Sequence, residues 1–204
     1  MRVNVLLFDG FLMGQYGDRQ RCLCDAIMAR GIDPMDEATY RVVIEKLDGR
    51  TFEEVLRMGW ATHELVQQDP TLLELMALDA NARYAAWLRD GATMDPQVRE
   101  LVDVLTKDGQ RVILRADSRR RDVVPFLERW AMHDVFAFVR CADDPPIAAS
   151  IYRSSFCRSW EAIIDRVTRW GVDRANVNVM DGNDDARMVA LQLLSGAHVT
   201  ELGY

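Results

Sequence analysis

The sequence predicts an α/β fold: a doubly wound parallel sheet that carries an all-helical insertion. Residues 3–8 are a short, continuous apolar run that is typical of a fully buried strand. From residue 91 onward, apolar strands alternate with amphipathic helices, which indicates parallel strands with right-handed crossovers. Between these two parts, the pattern is helical and contains no convincing strand. We therefore predict an α/β core formed by residues 1–14 and 89–204, and a helical cap formed by residues 15–88.

Composition excludes several functional classes. The chain has 204 residues, of which 49% are hydrophobic, and this suits one domain of average size with a modest insertion. A net charge of −7 and the lack of a basic amphipathic stretch argue against nucleic-acid and membrane partners. Four cysteines show neither a zinc spacing nor the density of a secreted disulfide scaffold. With no signal peptide and no long apolar run, we expect a cytoplasmic protein.

The predicted cap begins with a helix at residues 18–30, in which Asp18 is the N-cap and Gly31 the stop signal. Thr51 follows a turn and is predicted to cap the helix after it. Tyr84 and Trp87 lie at helical spacing and are interpreted as part of the apolar core of the cap. The other helices predicted in this segment span residues 37–47, 52–58, 71–78 and 80–89.

In the core, Pro96 lies near the start of a helix, and each later strand is followed by a polar loop and another helix. The predicted strands span residues 112–114, 135–139, 177–180 and 198–202. The predicted helices after them lie near residues 123–130, 159–170 and 188–194.

Aspartates follow several of these strands. They are Asp9, Asp117, Asp143, Asp144, Asp181, Asp184 and Asp185. Because parallel strands end at the same edge of a sheet, we expect these carboxylates to lie near one crevice. Clustered carboxylates repel each other unless a cation neutralises them, and oxygen ligands favour Mg²⁺. The alternative is that they cap the helices that follow them, which we prefer for Asp117 and Asp143 but not for Asp9, Asp181 and Asp185.

The order of these features resembles the haloacid dehalogenase superfamily, in particular its phosphatase-like members with a small helical cap. The resemblance is carried by Asp9 after the first strand, by residues 48–51 as the internal turn of the cap, by residues 94–101 as the return to the core, and by the acidic loop of residues 180–185. It implies that Asp9 is a nucleophile. It also implies a Mg²⁺ site at Asp9, Phe11, Asp181 and Asp185, with Phe11 at the position of a second aspartate.

Three positions depart from the family pattern. The aspartate that serves as general acid and base two residues after the nucleophile is Phe11 here, and a gapped alignment still provides only one aspartate. A serine or threonine is expected directly after the second strand, where Arg115 stands; Ser118 could replace it from a shifted loop. The family's lysine is missing because no lysine follows Lys107, so Arg153 or Arg158 would have to supply that charge.

Three functions follow from this resemblance. The first is a divergent hydrolase that acts on a small phosphorylated or otherwise activated anion, with Asp9 and Mg²⁺ assisted by Arg115, Ser118 and Arg153. The second is a catalytically impaired module that binds a ligand or a protein partner, and the third is a carbon–halogen hydrolase. General acid–base help contributes about 10²–10⁴-fold to rates, so we expect slow turnover of generic phosphomonoesters.

Overall fold

A four-stranded parallel sheet forms the centre of the computed structural model, which describes residues 1–12, 16–33, 50–148, 150, 154–180 and 195. The strands lie in the spatial order β3–β2–β1–β4, and both neighbours of β1 run parallel to it. This arrangement, with helices around the sheet, confirms the predicted fold class. The strands are β1 (Val3–Leu7), β2 (Arg111–Arg115), β3 (Phe138–Arg140) and β4 (Val177–Met180).

β1 is the inner strand on which the site is built. All five of its residues are buried, which is why its sequence is continuously apolar rather than alternating. Val3 pairs with Arg111 of β2 on one side and with Val177 of β4 on the other. The carboxyl ends of these three strands therefore lie at one edge of the sheet, and Asp9 follows β1 at that edge.

The seven helices of the described residues are α1 (Tyr16–Met28), α2 (Phe52–Trp60), α3 (Glu64–Gln68), α4 (Thr71–Asp90), α5 (Pro96–Lys107), α6 (Arg120–Arg129) and α7 (Ser155–Arg169). Short 3₁₀ turns lie at His133–Val135 and Arg174–Asn176. The predicted helices at residues 37–47 and 188–194 and the predicted strand at residues 198–202 lie outside the described residues.

Three predicted boundaries were wrong. The strand predicted at residues 135–139 begins later, because the backbone N–H of Val135 donates to Met132 in a 3₁₀ turn before pairing with β2 starts. The two helices predicted at 71–78 and 80–89 are one helix, in which Asp79 bonds to Arg83 one turn on at 2.9 Å instead of ending the helix. α7 begins before residue 159 because the Ser154 side chain accepts from the Cys157 backbone and caps it.

The sheet packs on both faces. Leu6 and Leu114 face the larger core, which includes residues of α1, α2, α4, α5 and α6. Val5 and Ile113 face the opposite side and pack against α7. This alternation follows from the two-residue period of a strand, and it places α4 and α7 on opposite sides of the sheet.

The four cysteines are free thiols. Burial raises the pKa of the Cys22 thiol to about 11, and it raises the pKa of Cys141 as well. A thiol with a raised pKa is a poor nucleophile and a poor metal ligand at neutral pH. In the part of the chain that the structure describes, no helix is long and apolar enough to cross a bilayer.

Glu54 joins the segment between β1 and β2 to the far side of the core. Its carboxylate accepts from the Thr51 backbone at 2.9 Å, which completes a capping box at the start of α2. The same carboxylate accepts from the backbone N–H of Ser155 at 2.7 Å and from the Ser155 hydroxyl. One side chain therefore satisfies donors at the starts of both α2 and α7.

Replacing Glu54 with alanine is expected to lower the free energy of unfolding by about 1–3 kcal/mol, because partly buried backbone donors of two helices lose a charged acceptor. Glu74→Ala, an exposed change in the first turn of α4, is the matched control and should cost no more than about 0.5 kcal/mol. Chemical denaturation of both variants measures the difference. Equal losses would show that Glu54 does not join the two helices energetically.

Candidate functional site

Asp9 is the centre of the candidate site. It follows β1 in a single π-helical turn (Phe8–Leu12), a rare local geometry that is frequent at functional sites. The residue is only 1% exposed. Its Oδ1 accepts from the Tyr84 hydroxyl at 2.7 Å and from the Ser118 hydroxyl at 2.5 Å, and its Oδ2 accepts from the backbone N–H of Asp117 at 2.7 Å. Three hydrogen bonds from two distant segments therefore fix the carboxylate.

The loop after β2 supplies two of these donors and is itself held in place. The N–H of Ala116 donates to the Arg140 carbonyl of β3, and the Ser118 carbonyl accepts from Ala142. These bonds position the loop so that the backbone of Asp117, rather than its side chain, faces Asp9. Because β2 includes Arg115 as its last residue, Ala116 is the residue directly after the strand.

The side chain of Asp117 forms a buried ion pair. Arg115 Nη2 lies 2.5 Å from Asp117 Oδ1, and the two side chains are 1% and 2% exposed. The Arg115 guanidinium also lies over the ring of Phe156, with its central carbon 4.5 Å from the ring centroid. This pair fixes the loop that presents the Asp117 N–H to Asp9.

A second buried guanidinium, that of Arg19, lies beside the same loop. Its Nη2 donates to the carbonyl oxygens of Arg50 at 2.5 Å and Asp117 at 3.3 Å. Its central carbon lies 4.9 Å from the centroid of Phe52. Arg19 therefore brings a fixed positive charge to the site from α1, and the sequence analysis did not single it out.

Tyr84 reaches Asp9 from α4. Its ring is buried, stacked on Trp87 with centroids 5.5 Å apart and edge-on to Phe52 at 6.2 Å. Burial raises the pKa of the hydroxyl well above its ordinary value, the Asp9 carboxylate raises it further, and Arg19 lowers it. The hydroxyl consequently keeps its proton and donates it to Asp9 in a hydrogen bond.

The site is closed. The space bounded by Tyr84, the start of α2 and the loop of residues 117–122 is only about 10 Å³, which is room for one water molecule. Glu53 at the start of α2 pairs with Arg119 of that loop and accepts from Asn81 of α4 at 3.2 Å. On this side of the site, which the described residues form, a substrate reaches Asp9 only if α2 and α4 move away from the loop.

The acids at this edge of the sheet differ in function. Asp143 accepts from the backbone N–H of Arg120 at 2.7 Å and so serves the start of α6, the helix before it in the chain, and not the following helix that it was predicted to cap. Asp144 pairs with Arg120 at 2.6 Å; burial alone would raise its pKa, but hydrogen bonds from Arg120 and the Cys141 N–H lower it. Asp117 is an ion-pair partner and not the predicted cap.

The predicted site residues are only partly brought together. Asp9 and Ser118 are in direct contact, whereas the guanidinium of Arg115 is engaged by Asp117. Arg153, Asp181, Asp185 and the side chain of Phe11 lie outside the described residues, so their convergence with Asp9 stays a prediction.

The chemistry of Asp9 fits a hard cation. Among the described contacts, Oδ2 accepts a single hydrogen bond, which leaves it one lone pair of the kind that Mg²⁺ takes. No group of three histidine, cysteine, aspartate or glutamate side chains in the described part of the chain is arranged to hold a metal. A Mg²⁺ site would therefore need the predicted ligands after β4 in addition to Asp9.

No protein-family model matches the chain, and no curated protein matches its sequence. Solved structures, in contrast, match the fold of the chain. A putative haloacid dehalogenase-like hydrolase from Bacteroides fragilis superposes with a TM-score of 0.70 at 14% identity, covering 96% of this chain and 84% of that one. CbbY from Rhodobacter sphaeroides in complex with phosphate superposes with a TM-score of 0.67 at 13% identity, covering 97% of this chain and 84% of that one. A predicted phosphoglycolate phosphatase from Haemophilus somnus superposes with a TM-score of 0.62 at 14% identity, covering 88% of this chain and 76% of that one.

These similarities confirm the fold that the sequence resemblance implied. The chain has the Rossmann-like α/β fold of haloacid dehalogenase-type hydrolases.

A double-mutant cycle tests whether Arg115 and Asp117 act as a pair. Arg115→Met is expected to lower the free energy of unfolding by about 3–5 kcal/mol, because it leaves a buried carboxylate without its cation. The double variant Arg115→Met/Asp117→Asn should be less destabilised than the sum of the single changes. Arg169→Met removes one member of an exposed pair, whose side chains are 71% and 35% exposed, and should cost less than about 1 kcal/mol. If the losses of unfolding free energy in Arg115→Met and Asp117→Asn simply add in the double variant, the two residues do not act as an ion pair.

Proposed function

We propose that the chain is a hydrolase of the haloacid dehalogenase type that acts on a small phosphorylated or similarly activated anionic substrate, with Asp9 as the nucleophile. One observation carries the proposal: a buried carboxylate at the carboxyl edge of the inner strand is held by three hydrogen-bond donors and by no cation among the described residues. Buried carboxylates that only stabilise a fold are normally paired. Asp9 is held in a defined orientation by these donors.

The donors around Asp9 also suit the transferred group. The Ser118 hydroxyl and the Asp117 N–H lie on one loop and both point at the carboxylate. When an anionic group enters beside Asp9, each donor would exchange its bond to the carboxylate for a bond to an oxygen of that group, and would stabilise the negative charge there. The fixed charge of Arg19 beside the same loop favours an anionic substrate.

Mg²⁺ is proposed as the cofactor, held by Asp9, Asp181 and Asp185. Support comes from β4, which pairs with β1 so that Met180 lies opposite Leu6 and the chain after β4 begins at the edge that carries Asp9. The ion would neutralise charge on the transferred group. Arg153, which precedes the Ser154 cap of α7, is the proposed replacement for the family's lysine.

The closed site favours a second candidate function, a non-catalytic module that binds a small anion or a protein partner. Both oxygens of Asp9 accept hydrogen bonds from internal donors, and the space lined by Tyr84, Asp117 and Ser118 is only about 10 Å³. The two functions differ in one respect: in a hydrolase, the contact between α4 and Asp9 must open for each substrate molecule.

Turnover of 4-nitrophenyl phosphate with and without Mg²⁺ distinguishes the hydrolase from the binding module. We expect Mg²⁺-dependent turnover below about 1 s⁻¹, slower than ordinary enzymes, because the acid at position 11 is missing. Asp9→Asn keeps the shape of the side chain but removes the nucleophile, and should lower turnover by at least about 10²-fold. Asp143→Asn, a matched change of an edge acid that caps α6, should keep wild-type turnover. Unchanged turnover in the Asp9 variant would refute the assignment of the nucleophile, and a folded wild type without turnover would favour the binding module.

A further inference from the structure

We propose that Tyr84 is the catalytic residue that donates a proton to the leaving group, in place of the carboxyl group that is absent at Phe11. The inference rests on the proposed function of Asp9. Its starting observation is that the Tyr84 hydroxyl lies 2.7 Å from Asp9 Oδ1, which puts a transferable proton in contact with the atom that would attack the substrate. A proton donor for this reaction must lie within such a distance of a reacting oxygen.

The direction from which Tyr84 approaches supports this role. Ser118 and the Asp117 N–H approach Asp9 from the loop after β2, on the sheet itself. Tyr84 approaches from α4, which belongs to the helical segment between β1 and β2. In an in-line displacement, the leaving oxygen lies on the side of the phosphorus opposite to the nucleophile. With a phosphoryl group between sheet and helix, the side chain that now meets Asp9 from the helix would face the leaving oxygen.

The reaction balances with these groups. An oxygen of Asp9 attacks phosphorus, the bond from phosphorus to the leaving oxygen breaks, and its electron pair stays on that oxygen, which takes the proton of Tyr84. Water then attacks the phosphorus of the aspartyl phosphate and gives a proton to the Tyr84 phenolate, and the bond from phosphorus to Asp9 breaks. The products are an alcohol or phenol and inorganic phosphate, while Asp9 and Tyr84 return to their starting states.

Substrate entry requires Tyr84 to withdraw. Reacting atoms must lie about 3–3.5 Å apart, and the proton donor about 2.6–3.2 Å from the leaving oxygen. The present contact between Tyr84 and Asp9 is therefore the resting state, and it must open by the width of the transferred group. The pair between Glu53 and Arg119 spans the same closure between α2 and the loop after β2, and would open with it.

Asp122 is the competing proton donor. It lines the same small space, and burial raises the pKa of its carboxyl group. Its carboxylate pairs with the adjacent Arg121, with Nε 3.8 Å from Oδ1. Tyr84 is preferred because it contacts Asp9 directly, whereas no contact of Asp122 with Asp9 is seen among the described residues.

The test compares two esters of similar shape, 4-nitrophenyl phosphate and benzyl phosphate, which have a good and a poor leaving group; the alkoxide that leaves benzyl phosphate is basic enough to take a proton from a phenol. Tyr84→Phe should lower turnover of benzyl phosphate by about 10²–10⁴-fold and turnover of 4-nitrophenyl phosphate by less than about tenfold, because only the poor leaving group needs the proton. Asp122→Asn should not change the ratio between the two esters. Phenylalanine retains the ring that packs on Trp87 and Phe52, and denaturation checks that the variant is folded.

The outcomes separate the inference from the proposed function. Equal losses on both esters, or faster turnover of both, would show that Tyr84 only positions or blocks Asp9, and would overturn the inference alone. A change of the ester ratio in Asp122→Asn but not in Tyr84→Phe would assign the proton to Asp122. Wild-type protein without Asp9-dependent turnover of either ester would overturn the proposed function, and the inference with it. If Tyr84→Phe does not fold, a wild-type solvent deuterium isotope effect that is larger for benzyl phosphate supports proton donation, and equal effects refute it.

Discussion

The hydrogen bonds onto the Asp9 carboxylate are the interaction on which the rest of the site depends. They connect residues 75, 108 and 109 positions apart in the chain, and so join β1, the loop after β2 and α4. An ionised carboxylate in a buried position is costly unless donors compensate it, and hydrogen bonds to a charged group contribute about 1.5–3 kcal/mol each. The folded arrangement of the three segments and the orientation of Asp9 therefore stabilise each other.

Arginine has a structural role around this centre that lysine could not fill. The guanidinium groups of Arg19 and Arg140 donate to pairs of backbone carbonyls, and that of Arg115 combines an ion pair with a ring contact. A planar group with five donors satisfies several fixed acceptors at once, whereas an ammonium group is a compact charge. The loops at the carboxyl edge are therefore held by arginine, in a chain whose lysines are limited to Lys46 and Lys107.

The closure between the helical segment and the sheet relates structure to function. Tyr84 contacts Asp9, Glu53 contacts Arg119, and Glu54 contacts Ser155, so three side chains of α2 and α4 hold the closed state. Closing over a substrate excludes water and strengthens electrostatic interactions inside the site. Here Tyr84 of the helical segment closes directly onto the Asp9 carboxylate and keeps a ligand from it. The free energy of opening this contact therefore decides how readily the site binds an anion.

The sequence by itself determined the fold class, the inner strand and the position of Asp9, because a buried parallel strand must be continuously apolar and its carboxyl end must lie at the functional edge of the sheet. It also identified Ser118 as a candidate, although not its contact with Asp9. Only the tertiary structure decided that Tyr84 reaches Asp9 and that Arg115 is engaged by Asp117. Helical spacing correctly assigns the ring of Tyr84 to the core, but periodicity is a local property and does not show which distant atom a hydroxyl contacts. The partners of a buried charge are chosen by the packing of segments far apart in the chain.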